Sequence, residues 1–161
     1  MAEQYQLEKR LWDETDFDMM GWHDASIHAF SFSKDYKLFL DIDYIFKWVH
    51  PEDGETYFNF WVAPCTLAFE NVWNIVFDLE LSVPSELSID SIVRSNPNVP
   101  RNAGYTTQST EYTWTIETLN GDITFNSVGY SLYVRQQPLF VKEQMLDIDV
   151  RGGISFETNT Y

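Results

Sequence analysis

The sequence has little cysteine and little positive charge, and each shortage excludes a class of protein. Its 161 residues include one cysteine, Cys65, so the chain cannot form an internal disulfide. Ten Lys and Arg residues stand against 25 Asp and Glu residues, which gives a formal net charge of −15. Because this negative field repels the phosphates of nucleic acids and of anionic lipids, we predict neither nucleic-acid nor membrane binding.

Long apolar runs are also missing. No stretch approaches the roughly 18 apolar residues that a membrane-spanning helix needs. Residues 1–18 are acidic and have no apolar core of the kind that a signal peptide contains. Together with the lone cysteine, these features predict a cytoplasmic protein.

The apolar residues that are present suffice for a substantial core. Hydrophobic residues make up 44% of the chain and aromatic residues 17%. The length fits one domain. We therefore predict a single domain over residues 1–161, with an acidic N-terminal segment (1–20), a β-rich core (22–135) and a C-terminal segment (136–161).

The clearest strand pattern spans residues 37–47. Its even positions are apolar, whereas its odd positions include Asp41 and Asp43, which indicates a strand with one buried and one wet face. The two aspartates would lie about 6.6 Å apart along such a strand, a separation close to that of glycosidase carboxylates. Because catalytic pairs usually flank a cleft from different segments, we predict a solvated charged face instead.

The clearest hairpin surrounds Asn120-Gly121. Residues 112–117 and 122–125 alternate on either side of this dipeptide, which is typical of a type I′ turn with positive φ at both central residues. The whole pattern predicts a mostly β (β-rich α+β) fold of seven to nine antiparallel strands, forming a sandwich, a half-barrel or a strongly curved sheet with one or two short helices. Further strands are predicted at residues 25–32, 57–62, 67–69, 75–81, 87–93 and 128–134, and helices at 4–12, 13–20 and 140–146.

His23 and Asp24 are the candidate catalytic residues. A histidine beside a carboxylate can act as an oriented base. The alternative, which we favour, is a structural turn before the first long strand, in which the carboxylate bonds backbone N–H groups. Cys65 lies among apolar neighbours, so we predict a buried small hydrophobic residue rather than a nucleophile.

Other residue patterns predict no cofactor and no metal site. The spacing of the three histidines matches no zinc motif, and no nucleotide-binding glycine loop is present. Arg151-Gly152-Gly153 could form an anion nest, although a tight turn is the interpretation we favour. We predict internal ion pairs for Arg94, Arg101 and Arg135, with a pocket role as the alternative for Arg135. We predict core packing for four tryptophans, with an aromatic binding platform as the alternative. They are Trp48, Trp61, Trp73 and Trp114.

Four short segments in residues 22–135 together resemble an uncharacterised bacterial β-rich family that opens with a Trp-His-Asp-Ala-like motif. Some members of that family are similar to immunity proteins of polymorphic toxin systems. The resemblance implies a β-rich fold and no catalytic residue. The segments are Trp22-His23-Asp24-Ala25-Ser26-Ile27, Leu67-Ala68-Phe69-Glu70-Asn71-Val72, Ile89-Asp90-Ser91-Ile92 and Gly121-Asp122-Ile123-Thr124-Phe125.

The sequence therefore favours a non-enzymatic protein-binding domain, with an immunity-type inhibitor of a basic toxin as its most specific form. An acidic surface complements a basic partner. A small-ligand-binding β domain is the first alternative, and a hydrolase that uses His23 and Asp24 is the second. The sequence predicts no oligomeric state.

Overall fold

Two antiparallel β-sheets dominate the computed structural model, which describes residues 3–83 and 86–161. The sheets contain six and four strands and do not close into a barrel. This sandwich-like arrangement confirms the predicted β-rich fold class. No helix in the described residues is long and apolar enough to cross a membrane.

The six-stranded sheet has the strand order β1-β9-β4-β3-β2, and β10 also pairs with β4. The four-stranded sheet has the order β5-β8-β7-β6. The strands are β1 (Leu11–Asp13), β2 (Ser26–Phe32), β3 (Leu38–Val49), β4 (Asn59–Glu70), β5 (Trp73–Leu79), β6 (Ile89–Asn98), β7 (Glu111–Thr118), β8 (Gly121–Ser127), β9 (Gly129–Val134) and β10 (Leu139–Val141). Two 3-10 helices span Glu14–Met19 and Ala103–Tyr105.

The main core lies between the two sheets. Leu38, Leu40 and Ile42 of β3 are fully buried there, as the alternation of residues 37–47 predicts. Trp114 and Ile116 of β7 are equally buried on the facing sheet. Since burying a large apolar side chain contributes roughly 1.5–3 kcal/mol, this layer supplies most of the driving force for the sandwich.

The N-terminal segment docks on the six-stranded sheet. β1 pairs with β9, and a capping box at Asp13 begins the helix Glu14–Met19. The helix predicted over 13–20 is thus confirmed, as a 3-10 helix over Glu14–Met19. The helices predicted at 4–12 and 140–146 are wrong. β1 pairs with β9 and β10 pairs with β4, and the sequence of each short segment does not indicate this long-range pairing.

The β7–β8 hairpin forms where the sequence predicts it, but its turn differs from the predicted type. Thr118 pairs with Gly121, so Leu119 and Asn120 are the turn residues. Gly121 has a φ of 123°, whereas Asn120 has no positive φ. The type I′ prediction is therefore wrong: the glycine follows the turn, where it lies against the backbone of Asp78 in β5.

Candidate functional site

His23 and Asp24 lie together on the surface, in the turn before β2. The His23 Nε2 atom is 3.6 Å from Asp24 Oδ2, and its Nδ1 atom is 3.2 Å from Asp90 Oδ1. The imidazole is 63% exposed. Asp24 has a φ of 66°, donates its backbone N–H to Ile89 O, and accepts a hydrogen bond from Gln144 Nε2 at 2.7 Å. Asp24 therefore joins this turn to β6 and to the C-terminal segment.

An open groove of about 630 Å³ is lined by Trp48, the neighbour of His23. The imidazole stacks on the ring of Trp48, with centroids 6.0 Å apart and planes 18° apart. Trp48 is 37% exposed and is held edge-on by Phe58 and Phe60. Tyr57, 82% exposed, stands at the rim. We call this hollow the aromatic groove; its lining residues are Trp48, residues 55–60 and residues 142–144.

Three carboxylates form a row across the outer face of the four-stranded sheet. Asp78 of β5 pairs with Asp122 of β8, and Asp122 pairs with Glu117 of β7. Like charges directly opposite each other destabilise a sheet. We call Asp78, Asp122 and Glu117 the acidic row.

Away from one edge, where Arg101 stacks on Trp73, the rest of that outer face has no Lys or Arg among the described residues. Its outward positions are polar apart from two valines and Trp73. Ser91 lies opposite Glu117 in the acidic row, and the others lie in two further rows beside it. Arg94 of β6 points the other way, onto the ring of Trp114. The outward residues are Trp73, Val76, Ser91, Val93, Ser95, Thr113, Thr115, Thr124 and Asn126.

Side-chain contacts join the acidic row to the aromatic groove. Ser91 Oγ donates to Glu117 Oε2 at 2.7 Å, and its neighbour Asp90 contacts His23. His23 in turn stacks on Trp48. We call the resulting surface the acidic band; its carboxylates are Asp78, Asp122, Glu117, Asp90, Asp24, Glu143 and Glu55.

Asp41 and Asp43 are fully buried, so the solvated face predicted for them is wrong. Arg151 lies between them: Nη1 and Nη2 donate to the two Asp41 oxygens at 2.8 and 2.6 Å, and Nε donates to Asp43 Oδ1 at 3.0 Å. Arg135 adds a 2.7 Å bond to Asp41, and His28 Nε2 lies 2.7 Å from Asp43 Oδ2. The C-terminal segment packs over this side of the sheet, so the face that was predicted to be solvated is buried.

The turn at Arg151-Gly152-Gly153 holds this arginine in place. The backbone N–H groups of Arg151 and Gly153 donate to Asp147 O and Ile148 O at 3.0 and 2.8 Å. Both glycines have positive φ. The tight turn that we favoured over an anion nest is confirmed, and the segment contributes its arginine to the interior.

Stability should depend on pH through Asp41. Burial raises the pKa of Asp41, but hydrogen bonds from Arg151 and Arg135 outweigh it and hold that pKa below its ordinary value. A carboxyl group whose pKa is lowered in the folded state stabilises the protein at pH values above its unfolded pKa of about 3.9. This stabilisation is lost as the pH falls further. We expect wild type to exceed Asp41→Asn in Tm at neutral pH, and the gap to narrow below about pH 4. A gap independent of pH in thermal melts would contradict this.

The remaining candidates divide between core and surface. Cys65 is fully buried and burial raises the pKa of its thiol, so the predicted structural role is confirmed. The ion pair predicted for Arg135 is confirmed, whereas Arg94 and Arg101 lie over aromatic rings rather than beside carboxylates. Trp61 and Trp114 are buried as predicted, but Trp48 is partly exposed in the aromatic groove.

Within residues 3–83 and 86–161, no group of three or more His, Cys, Asp or Glu side chains could hold a metal ion. Comparison of the chain with protein-family models, curated proteins and solved structures finds no match. The geometry of the surface is therefore the basis for a functional conclusion.

The acidic row is a feature that the sequence analysis missed, although part of its signal was present. Glu117 and Asp122 are equally distant from the turn residues Leu119 and Asn120, so a two-residue turn pairs them. Asp78 is not predictable in this way, because nothing in the sequence shows that β5 pairs with β8.

Proposed function

We propose that this protein is a non-enzymatic binding domain for a basic protein, which docks along the acidic band and anchors in the aromatic groove. The observation that carries the proposal is the acidic row on an uncovered sheet face. The outer face of the other sheet is covered by the C-terminal segment, whereas the acidic row is left to solvent and Arg101 lies at the Trp73 edge of its face.

The distribution of charge supports a basic partner. The charges of Asp41 and Asp43 are cancelled by Arg135 and Arg151 inside the protein, so the net charge of −15 belongs to the remaining residues. A field of this sign accelerates encounter with a cationic surface and opposes anionic ones.

The cost of the acidic row supports a role in binding. Asp122 faces a carboxylate on each side, which a sheet selected only for stability would avoid. Lys or Arg side chains of a partner would relieve this repulsion. The row thus contributes more favourable energy in a complex than in the free protein.

The aromatic groove suits an anchor residue. Trp and Tyr are enriched among the residues that dominate binding energy at protein interfaces, and Trp48 and Tyr57 are both accessible. Glu55 and Glu143 line the same groove and outnumber Lys142. An arginine of the partner could stack on Trp48 while its charge faces these carboxylates.

The most specific form of this proposal is an immunity-type inhibitor of a basic toxin that acts in the cytoplasm. The resemblance of residues 22–135 to immunity-like bacterial proteins supports it. In this form the acidic band covers the cationic active site of the toxin.

Neutralising the acidic row should weaken partner binding and stabilise the free protein. We expect the triple variant Asp78→Asn, Glu117→Gln and Asp122→Asn to raise Tm, because it removes like-charge pairs. Its affinity for the partner should fall at least about tenfold, as expected for loss of close charge complementarity. The partner is taken from native-host lysate by salt elution, identified by mass spectrometry, purified, and titrated calorimetrically.

A matched control separates location from net charge. The triple variant Glu3→Gln, Glu8→Gln and Glu157→Gln removes the same charge from exposed positions outside the acidic band. We expect it to retain most of the affinity. Equal weakening in both triple variants, salt-insensitive binding, or the absence of any stoichiometric basic partner would each contradict the proposal.

A further inference from the structure

A second cleft, of about 740 Å³, shares no residue with the acidic band. Three segments form its walls: residues 35–37 after β2, residues 70–73 between β4 and β5, and residues 101–108 before β7. We call it the polar cleft, because amide, hydroxyl and charged side chains alternate there with aromatic rings.

Hydrogen bonds fix the walls of the polar cleft to one another. Val72 N donates to Tyr36 O at 2.7 Å, which joins the first two segments. The side-chain amides of Asn71 and Asn102 exchange two hydrogen bonds of 2.8 Å each, which joins the second segment to the third. Each amide keeps one N–H and one oxygen lone pair for another partner. The cleft is therefore preformed, as ligand sites usually are.

Two residues in these walls have a left-handed backbone conformation. Tyr36 has a φ of 62° and Asn71 a φ of 52°. Asparagine tolerates this region, but for a bulky residue it is an outlier. Tyr36 is 65% exposed as a residue, so its side chain gains little from packing. A strained and exposed aromatic residue at the edge of a cleft indicates that the ring has a function there.

The charges in the polar cleft balance, in contrast to the rest of the protein. Lys37 and Arg101 stand against Asp35 and Glu70, and Lys37 Nζ is 3.6 Å from Glu70 Oε1. A basic ligand would meet two cations and an acidic ligand two carboxylates. The local balance favours a neutral ligand.

The side chains available to such a ligand are flat rings and planar polar groups. Tyr36 and Tyr105 are exposed, Tyr105 at 93%, and Arg101 stacks on Trp73 with 4.3 Å between its guanidinium carbon and the ring centroid. Rings of this kind offer apolar faces with polar tips. Fixed amides can donate to and accept from hydroxyl groups, and a guanidinium can donate to them.

We infer that the polar cleft binds a neutral carbohydrate. Sugar rings have apolar C–H faces that suit Tyr36 and Tyr105, and hydroxyl groups that suit Asn71, Asn102 and Arg101. The site is separate from the acidic band, so this activity does not depend on the proposed protein partner.

The test is a glycan array of neutral and anionic oligosaccharides, followed by calorimetric titration of the best ligand. We expect at least one neutral oligosaccharide to bind, and Tyr36→Gly and Tyr105→Ala each to weaken it at least tenfold. Tyr36→Gly should leave Tm unchanged or higher, because glycine adopts this φ without strain. Loss of affinity in that variant therefore cannot be attributed to unfolding.

Leu119→Ala is the control, since Leu119 is 87% exposed at the tip of the β7–β8 hairpin and lies outside the cleft. We expect it to bind the oligosaccharide like wild type. An array without a neutral ligand, full affinity in both tyrosine variants, or binding only of anionic glycans that disappears with salt would each overturn the inference.

Discussion

Arg151→Met should lower the free energy of unfolding by about 3–5 kcal/mol, the range measured when one partner of a buried ion pair is removed. The guanidinium donates to both oxygens of Asp41 and to Oδ1 of Asp43, and its side chain is fully buried. Asp41 would keep Arg135, and Asp43 would keep His28 through its other oxygen. Asp43 Oδ1 would be left buried without its charged partner.

The measurement is chemical denaturation of wild type and variant, with limited proteolysis of the C-terminal segment as a second readout. Arg151 also donates to Gly153 O, and the Ser155 N–H bonds the same Asp41 oxygen, Oδ2, as Arg151 Nη1. Its loss should therefore expose residues 139–157 to cleavage. Lys34→Met removes one positive charge from an exposed position and should change stability by less than about 0.5 kcal/mol.

A double-mutant cycle tests whether charge, rather than packing, causes the loss. Asp43→Asn in the Arg151→Met background removes the unpaired carboxylate. The double variant should be more stable than the sum of the single effects predicts, with a coupling of about 1–3 kcal/mol. Additive effects would show that Arg151 matters mainly for its volume, and would contradict the ion-pair account.

This network shows where sequence patterns cease to predict the structure. Alternation in residues 37–47 predicted the strand and its core-facing side, because one sheet face always packs on the core. It could not predict what covers the other face. Arg151 reaches Asp41 from 110 positions along the chain, in a segment that has little periodicity. Long-range pairing of this kind leaves no local signal.

The candidate site was predictable to a similar extent. His23 and Asp24 attracted attention as neighbours in sequence, and they do lie together on the surface. Their connection to Asp90 and Trp48 depends on how β6 and the β3–β4 hairpin pack against that turn. The aromatic groove likewise requires residues 142–144, which the sequence analysis assigned to a helix.

Gly121→Ala should destabilise the protein through a backbone collision. A Cβ at this position would lie 1.9 Å from Asp78 O, an approach that real Cβ atoms essentially never make. Because the obstacle is the backbone of β5, the strand itself must move. The φ of 123° is unfavourable for alanine as well. We expect a loss of at least about 3 kcal/mol in chemical denaturation, at the upper end of single-substitution effects.

Gly54→Ala provides the matched comparison. Gly54 also has a positive φ, 91°, but no atom lies within 4 Å of a Cβ placed there. It should therefore cost only the conformational strain, about 1 kcal/mol. The difference between the two variants reports mainly the collision, and equal losses would contradict the close approach of β5 to Gly121.

The same substitution links the fold to the proposed function. Gly121 pairs with Leu79, one residue after Asp78, so displacing β5 separates Asp78 from Asp122 in the acidic row. Gly121→Ala protein that remains folded at low temperature should therefore bind the basic partner more weakly than Gly54→Ala does. Equal affinity would mean that Asp78 makes no contribution to docking, and would confine the interface to Asp122, Glu117 and the aromatic groove.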